Sequence, residues 1–192
     1  MDSSLIEAID QINANFVGTH DQIWHVWLTQ VVFTWHWWLD VALAVLPWVL
    51  WLLVRRRDIQ HRLLYAGLVT ALLATYLDAI GMTQGLWTYY TWVVPLMPEY
   101  LPWDLSVMPV MAMLFYQYKP NINPWIKAVV FGALGSFIAE PLFELIGIYK
   151  KINWEYWYSF PIQIAVFMIG YAAFVRAGSE RRFAEATPGK PR

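Results

Sequence analysis

The sequence predicts an all-α membrane protein: a five-span helical bundle with an N-terminal amphipathic, interfacial helical segment, its N-terminus outside and its C-terminus inside. Three observations predict this. Apolar residues make up 59% of the 192-residue chain and charged residues only 14%, against about 45–50% and about 25% in soluble domains. The apolar excess is gathered into runs of membrane-crossing length. The basic residues fall almost entirely on one side of those runs.

The elements follow in order. In residues 1–32, Leu5, Ile6, Ile9, Ile12 and Phe16 recur at helical spacing with Glu7, Asp10 and Asn13 between them. This segment is too polar to span and is expected to lie along the surface, although it lacks the Lys and Arg usual in such helices. It has neither the basic nor the apolar region of a signal peptide. The bundle occupies residues 33–176. Its spans are expected at 33–54, closed by Arg55, Arg56 and Arg57, then at 63–80, 104–118, 125–148 and 159–175. Residues 81–102, rich in Pro, Gly, Trp and Tyr, read as an ordered loop, and 149–158 as a second aromatic loop. The third span is short, reaching only about 22 Å at 1.5 Å per residue. Residues 177–192 read as a disordered cytoplasmic tail.

Five spans place Arg55, Arg56, Arg57, Arg62, Lys119, Lys127, Arg176, Arg181, Arg182, Lys190 and Arg192 on one side and only Lys150 and Lys151 on the other. This asymmetry marks the first side as cytoplasmic and the location as a multi-pass cell-membrane protein in a lipid bilayer. Forcing a sixth span over residues 23–38 would spoil it. The net charge of −1 gives no electrostatic support to a nucleic-acid partner. There are no cysteines, hence no disulfide and no thiolate metal site. Zinc-protease, nucleophile-elbow, phosphate-loop and Asp-rich prenyl-diphosphate motifs are all missing. No cofactor or metal is expected.

Four carboxylates lie inside the apolar runs, Asp40, Asp78, Glu140 and Glu144, and Asp104 marks the mouth of the third span. A charge at mid-bilayer costs roughly 2.5–3.5 kcal/mol, so each needs a partner or a task. Counted along straight helices, all five fall in the outer half. Gly67, Ala71, Ala74, Asp78 and Gly81 share one small-residue face, which lets helices approach closely. Gly132, Ser136 and Glu140 form a similar row, with Glu144 one turn on, and Pro141 between the two glutamates should kink the helix. His36 lies one turn before Asp40 on the same face, and could donate to it or join a metal site. The expected site therefore has Glu140, Asp78 and Asp104 as catalytic residues. Glu144, Asp40, Trp87, Tyr149 and Trp103 are expected to bind substrate.

Leu77-Asp78-Ala79-Ile80-Gly81, Gly85-Leu86-Trp87, Pro109-Val110, Tyr116-Gln117-Tyr118, Glu140-Pro141-Leu142-Phe143, Gly147-Ile148-Tyr149 and Tyr158-Ser159-Phe160-Pro161 occur in this order. In them the chain resembles a family of small multi-pass membrane proteins found mainly in spore-forming Gram-positive bacteria. The resemblance covers most of residues 33–170 and implies a membrane location, but no activity.

The residues leave three readings open. One is an intramembrane enzyme using acid–base chemistry on an apolar lipid or isoprenoid-like substrate, with aromatic walls steadying a cation. Another is a protein binding or transporting a cation, either a divalent metal or an organic ammonium, where a homo-oligomer would supply the symmetry that one chain lacks. The third is a structural envelope protein whose carboxylates fix helix registry. The scarcity of outward Lys and Arg disfavours a pyrophosphate substrate.

Overall fold

The computed structural model describes residues 2–96 and 99–186; the end of the expected tail, 187–192, lies outside them. Helix α1 (Ser3–Val26) opens on Asp2, whose side chain accepts from Ser4 N, and none of its residues is buried. A π-turn (Trp27–Val31) follows, and the Trp27 indole donates to the Trp92 carbonyl at 2.9 Å. Thr34 then caps α2 (Trp35–Val54). Helix α3 (Gln60–Thr83) leads to a short strand, β1 (Trp87–Tyr89). A π-turn (Trp103–Val107) leads into α4 (Met108–Gln117). Helix α5 (Pro124–Leu134), a third π-turn (Gly135–Ala139) and α6 (Glu140–Leu145) form one interrupted rod. Strand β2 (Tyr149–Lys151) and helix α7 (Tyr156–Ala186) complete the described chain.

Among the described residues, four helices are long and apolar enough to cross a membrane: Trp35–Val54, Arg57–Thr83, Pro124–Leu145 and Tyr156–Ser179. The chain is thus an α-helical protein of multi-pass membrane type. The third expected span, 104–118, corresponds to a helical rod over residues 101–117 that is too short for that measure, about 25 Å at 1.5 Å per residue. It is instead the central rod. Met108, Val110, Ala112, Met113 and Tyr116 are buried, together with Trp51, Leu63, Phe131 and Phe167 from the surrounding helices. The small-residue face of α3 is buried throughout, at Gly67, Ala71, Ala74, Asp78 and Gly81, as its spacing predicts.

The helices run past the expected boundaries. Helix α3 continues to Thr83, and α7 runs from Tyr156 to Ala186 through residues expected to be tail. Hydropathy marks where apolar surface ends; the backbone bonds of a helix continue wherever helix-forming residues follow, as in the segment after Val175.

Proline explains two of the three π-turns. Pro109 cannot donate to the Leu105 carbonyl one turn back. The backbone widens over Trp103–Val107, and the Trp48 indole N–H takes up that carbonyl at 3.0 Å. Pro141 stands in the same relation to Gly135–Ala139. The irregularity expected at Pro141 is therefore a widened turn just before it.

Two matched helix ends build the cap of the bundle. Gly85 N–H donates to the Met82 carbonyl and Leu86 N–H to Gly81, while Gly147 N–H donates to Glu144 and Ile148 N–H to Phe143. Each is a Schellman ending with glycine in the left-handed region, at φ +66° and +79°. Each launches a strand, and β1 and β2 pair antiparallel with Tyr89 opposite Tyr149. The two loops expected to be separate are thus one ribbon. The opposite end is tied through backbone carbonyls. Lys127 Nζ donates to Phe115 and Tyr118 at 2.7 and 2.6 Å, Arg62 to Phe174, and Gln117 to Val54.

A methyl group at residue 85 would meet nothing within 4 Å, and at 147 only the His36 ring at 3.9 Å. Gly85→Ala and Gly147→Ala should therefore each lose about 1–2 kcal/mol through the left-handed backbone alone, measured by unfolding in detergent micelles. Trp48→Phe, which strips the Leu105 carbonyl of its donor, should cost a similar amount, about 1–3 kcal/mol.

Candidate functional site

The site is organised around Asp78, near the end of α3. Its Oδ1 accepts from the Trp87 indole N–H at 2.6 Å and from the Tyr89 hydroxyl at 2.9 Å; its Oδ2 accepts the Tyr100 backbone N–H at 2.9 Å. Asp78 therefore fastens α3 to the ribbon and to the start of the central rod. Trp87 can reach it because its ring lies flat against Gly81, where a β-carbon would overlap the indole.

Asp104, 1% exposed, sits beside Asp78, and among the described residues its Oδ2 receives no hydrogen bond. Two carboxylates offer each other only acceptors. They can bond once one of them carries a proton, and Asp78 is already supplied with three donors.

Glu140 lies at the start of α6. Its Oε1 accepts from Gln163 Nε2 and its Oε2 from the Ser159 hydroxyl, both at 2.9 Å. Ser159 in turn accepts from the Trp154 indole at 2.8 Å. Ser159 and Gln163 are one turn apart on α7, so a single helix face supplies both oxygens.

These groups border one cavity of about 260 Å³. Asp78, Asp104 and Glu140 all line it, as do Trp87, Trp103 and Tyr149, and the remaining wall is mainly apolar, including Phe143, Trp154, Met108 and Val166. Tyr89 closes the ribbon side, stacked on Tyr100 at 5.0 Å and 17°. Burial raises the phenols of the ribbon and its loop: Tyr89, reinforced by Asp78 and Asp104; Tyr100, reinforced by Asp40; and Tyr149, reinforced by Glu140 and Glu144. All three remain protonated hydrogen-bond donors at any working pH.

Two expected substrate contacts stand elsewhere. Asp40 is fully buried behind the cavity wall, bound by the Tyr100 hydroxyl and near Thr91. Glu144 is bound by the Tyr156 hydroxyl on the loop side. Neither lines the cavity: Asp40 is held by Tyr100 and Glu144 by Tyr156, so each carboxylate serves its own local partner. His36 does not hydrogen-bond Asp40; its Nε2 is 3.0 Å from the Ile146 carbonyl. Among the described residues, no three His, Asp or Glu side chains gather in a way that could hold a metal ion.

Three lining residues and one neighbouring acid escape a search for charges in apolar runs. Ser159 and Gln163 are neutral, although their four-residue spacing opposite Glu140 is a usable signal. Trp154 lies in a loop. Glu99, 7% exposed, also lies in a loop, where hydropathy gives an acid no significance.

Replacing Gly81 with Ala should push the Trp87 ring off Asp78. The expected result is a loss of about 1–3 kcal/mol from overpacking and a shifted Trp87 indole N–H resonance. An unmoved resonance would contradict the packing described. No family model, curated protein or solved structure matches this chain.

Proposed function

We propose that the chain is a five-span, N-out membrane enzyme that performs acid–base chemistry on a small apolar substrate, an alkene or epoxide of isoprenoid type, in a cavity in the outer half of the bilayer. One observation carries the reading: Asp78, Asp104 and Glu140, from three separate segments, border the same aromatic-walled cavity. The membrane topology draws support from two features. The central rod begins beside the ribbon and ends at Tyr118, next to the Arg55–Arg57 run, so it connects the two ends of the bundle. Both strands of the ribbon stand at the end poor in basic residues.

The roles follow from the hydrogen bonds. Asp78, with three donors, is the carboxylate; Asp104 holds the proton between the pair and is the acid. It protonates an alkene carbon or an epoxide oxygen. The resulting cation sits among Trp87, Trp103 and Trp154, whose ring faces stabilise it by about 0.5–2 kcal/mol each. Glu140, accepting from Ser159 and Gln163, is the base that removes a proton from a neighbouring carbon. The product is an isomer or cyclised form of the substrate, with no net change in atoms. At about 260 Å³ the cavity falls just below the roughly 300–1,000 Å³ of drug-sized sites. It suits a short isoprenoid or one segment of a longer chain. A divalent cation finds too few gathered ligands.

The test uses protein in lipid nanodiscs, D₂O, and a linear isoprenoid alkene or its terminal epoxide, with products read by mass spectrometry. Wild-type protein should yield an isomer, carrying carbon-bound deuterium when the alkene is the substrate. Asp104→Asn and Glu140→Gln should each lose about 10²–10⁴-fold in rate while unfolding at nearly the wild-type temperature. Full activity in both variants, or no conversion of either compound, would end this reading.

A further inference from the structure

The proposed reaction leaves its proton on Glu140 and the Asp78–Asp104 pair short of one. Trp87, Tyr89, Tyr149 and Trp154 line the cavity on its ribbon side. Before the next turnover the pair must regain a proton and Glu140 must release one.

Glu99 stands beside the pair. Its own peptide link supplies the Tyr100 N–H that binds Asp78 Oδ2 at 2.9 Å. Two covalent bonds separate that nitrogen from the Glu99 Cα, so the Cα lies within about 6 Å of the Asp78 oxygen. Tyr100 also caps the central rod, its carbonyl accepting from Trp103 N and Asp104 N. Counting from that cap, Glu99 is the residue before it and Asp104 is the fourth residue of the helix. Side chains at these two positions characteristically pack against each other at a helix start. Usually both are apolar; here both are carboxyls. Glu99 is 7% exposed, its Oε2 has no partner among the described residues, and it is an electrostatic neighbour of both Asp78 and Asp104. Glu99 lies in the loop between the ribbon and the central rod, where Leu96, three residues earlier, is 62% exposed.

We propose that Glu99 is the proton port of the site, relaying protons between water on the ribbon side and the Asp78–Asp104 pair. The step is a simple exchange. Water protonates the Glu99 carboxylate, Glu99 passes that proton to Asp104 after Asp104 has given up its own, and Glu140 releases the proton it took from the substrate to water entering the cavity. This rests on the shared proton assigned above, and Glu99 itself never touches substrate. Tyr89 faces the same pair and remains a donor throughout, so it offers no competing base.

Infrared spectroscopy of the protein in nanodiscs tests this without any substrate. The protonated carboxylic acid should give a C=O stretch that disappears in Asp104→Asn and moves down in D₂O. Glu99→Gln should leave that band in place but slow its exchange at least tenfold. Glu99→Asp, which keeps the acid, should slow it by no more than a few-fold, and it serves as the test if Glu99→Gln fails to fold. Exchange at the wild-type rate in Glu99→Gln would overturn the port, as would a Glu99→Asp protein as slow as Glu99→Gln. Absence of the band in the wild type would instead overturn the shared proton, and with it the acid assigned to Asp104.

Discussion

Asp78 and its three donors are the interaction on which the rest depends. One carboxylate, placed on the most closely packed face of α3, collects the Trp87 indole, the Tyr89 phenol and the Tyr100 amide. Through them it fixes the ribbon, the loop after it and the start of the central rod. Within a membrane, apolar burial supplies little net drive between helices, since lipid is as apolar as leucine. Close packing and satisfied polar groups hold such a bundle together. Removing Asp78 would leave three buried donors without an acceptor, each costing on the order of 1–3 kcal/mol. The same bonds that make Asp78 structural leave its neighbour Asp104 as the group without a donor.

The protein divides into two storeys. Toward the basic end, small, aliphatic and aromatic residues pack around the central rod, from Leu63 and Ala66 to Phe131 and Phe167. Toward the ribbon, Tyr89, Tyr100, Ile148 and Tyr149 form a separate aromatic cluster. The cavity lies where the two meet. Both widened helical turns of the core lie at this junction, one containing Asp104 and the other directly before Glu140. Each arises because a proline one turn later cannot donate its share of the ladder.

Much of this was legible in the sequence, and the reasons are physical. Length and composition identify α2, α3, α5–α6 and α7, because a bilayer demands long apolar runs. The small-residue spacing around Asp78 identifies its buried face. The carboxylates stand out because charge in an apolar run is costly. Their partners were less legible: Trp87 and Tyr89 reach Asp78 from a ribbon whose strands lie about sixty residues apart, and Tyr100 from the start of the central rod, contacts that hydropathy does not encode. Asp40 and Glu144 share the depth of the others, but depth along a straight helix does not specify direction. A widened turn changes direction without leaving a trace in hydropathy. The two Gly-apolar-aromatic triplets, Gly85-Leu86-Trp87 and Gly147-Ile148-Tyr149, are the one local signal of the ribbon.

The shortness of the central rod bears on how the protein meets membranes of different thickness. Its seventeen residues, 101–117, cover about 25 Å, against a hydrocarbon layer of about 30 Å. It is sheathed by helices of 20 to 27 residues, and its last carbonyls are taken by Lys127. Hydrophobic mismatch, at fractions of a kcal/mol per Å, therefore falls on the outer helices, which tilt or draw in lipid as the host bilayer requires. Asp104, 1% exposed, sits on that rod, and its depth relative to Asp78 and Glu140 is set by its protein contacts.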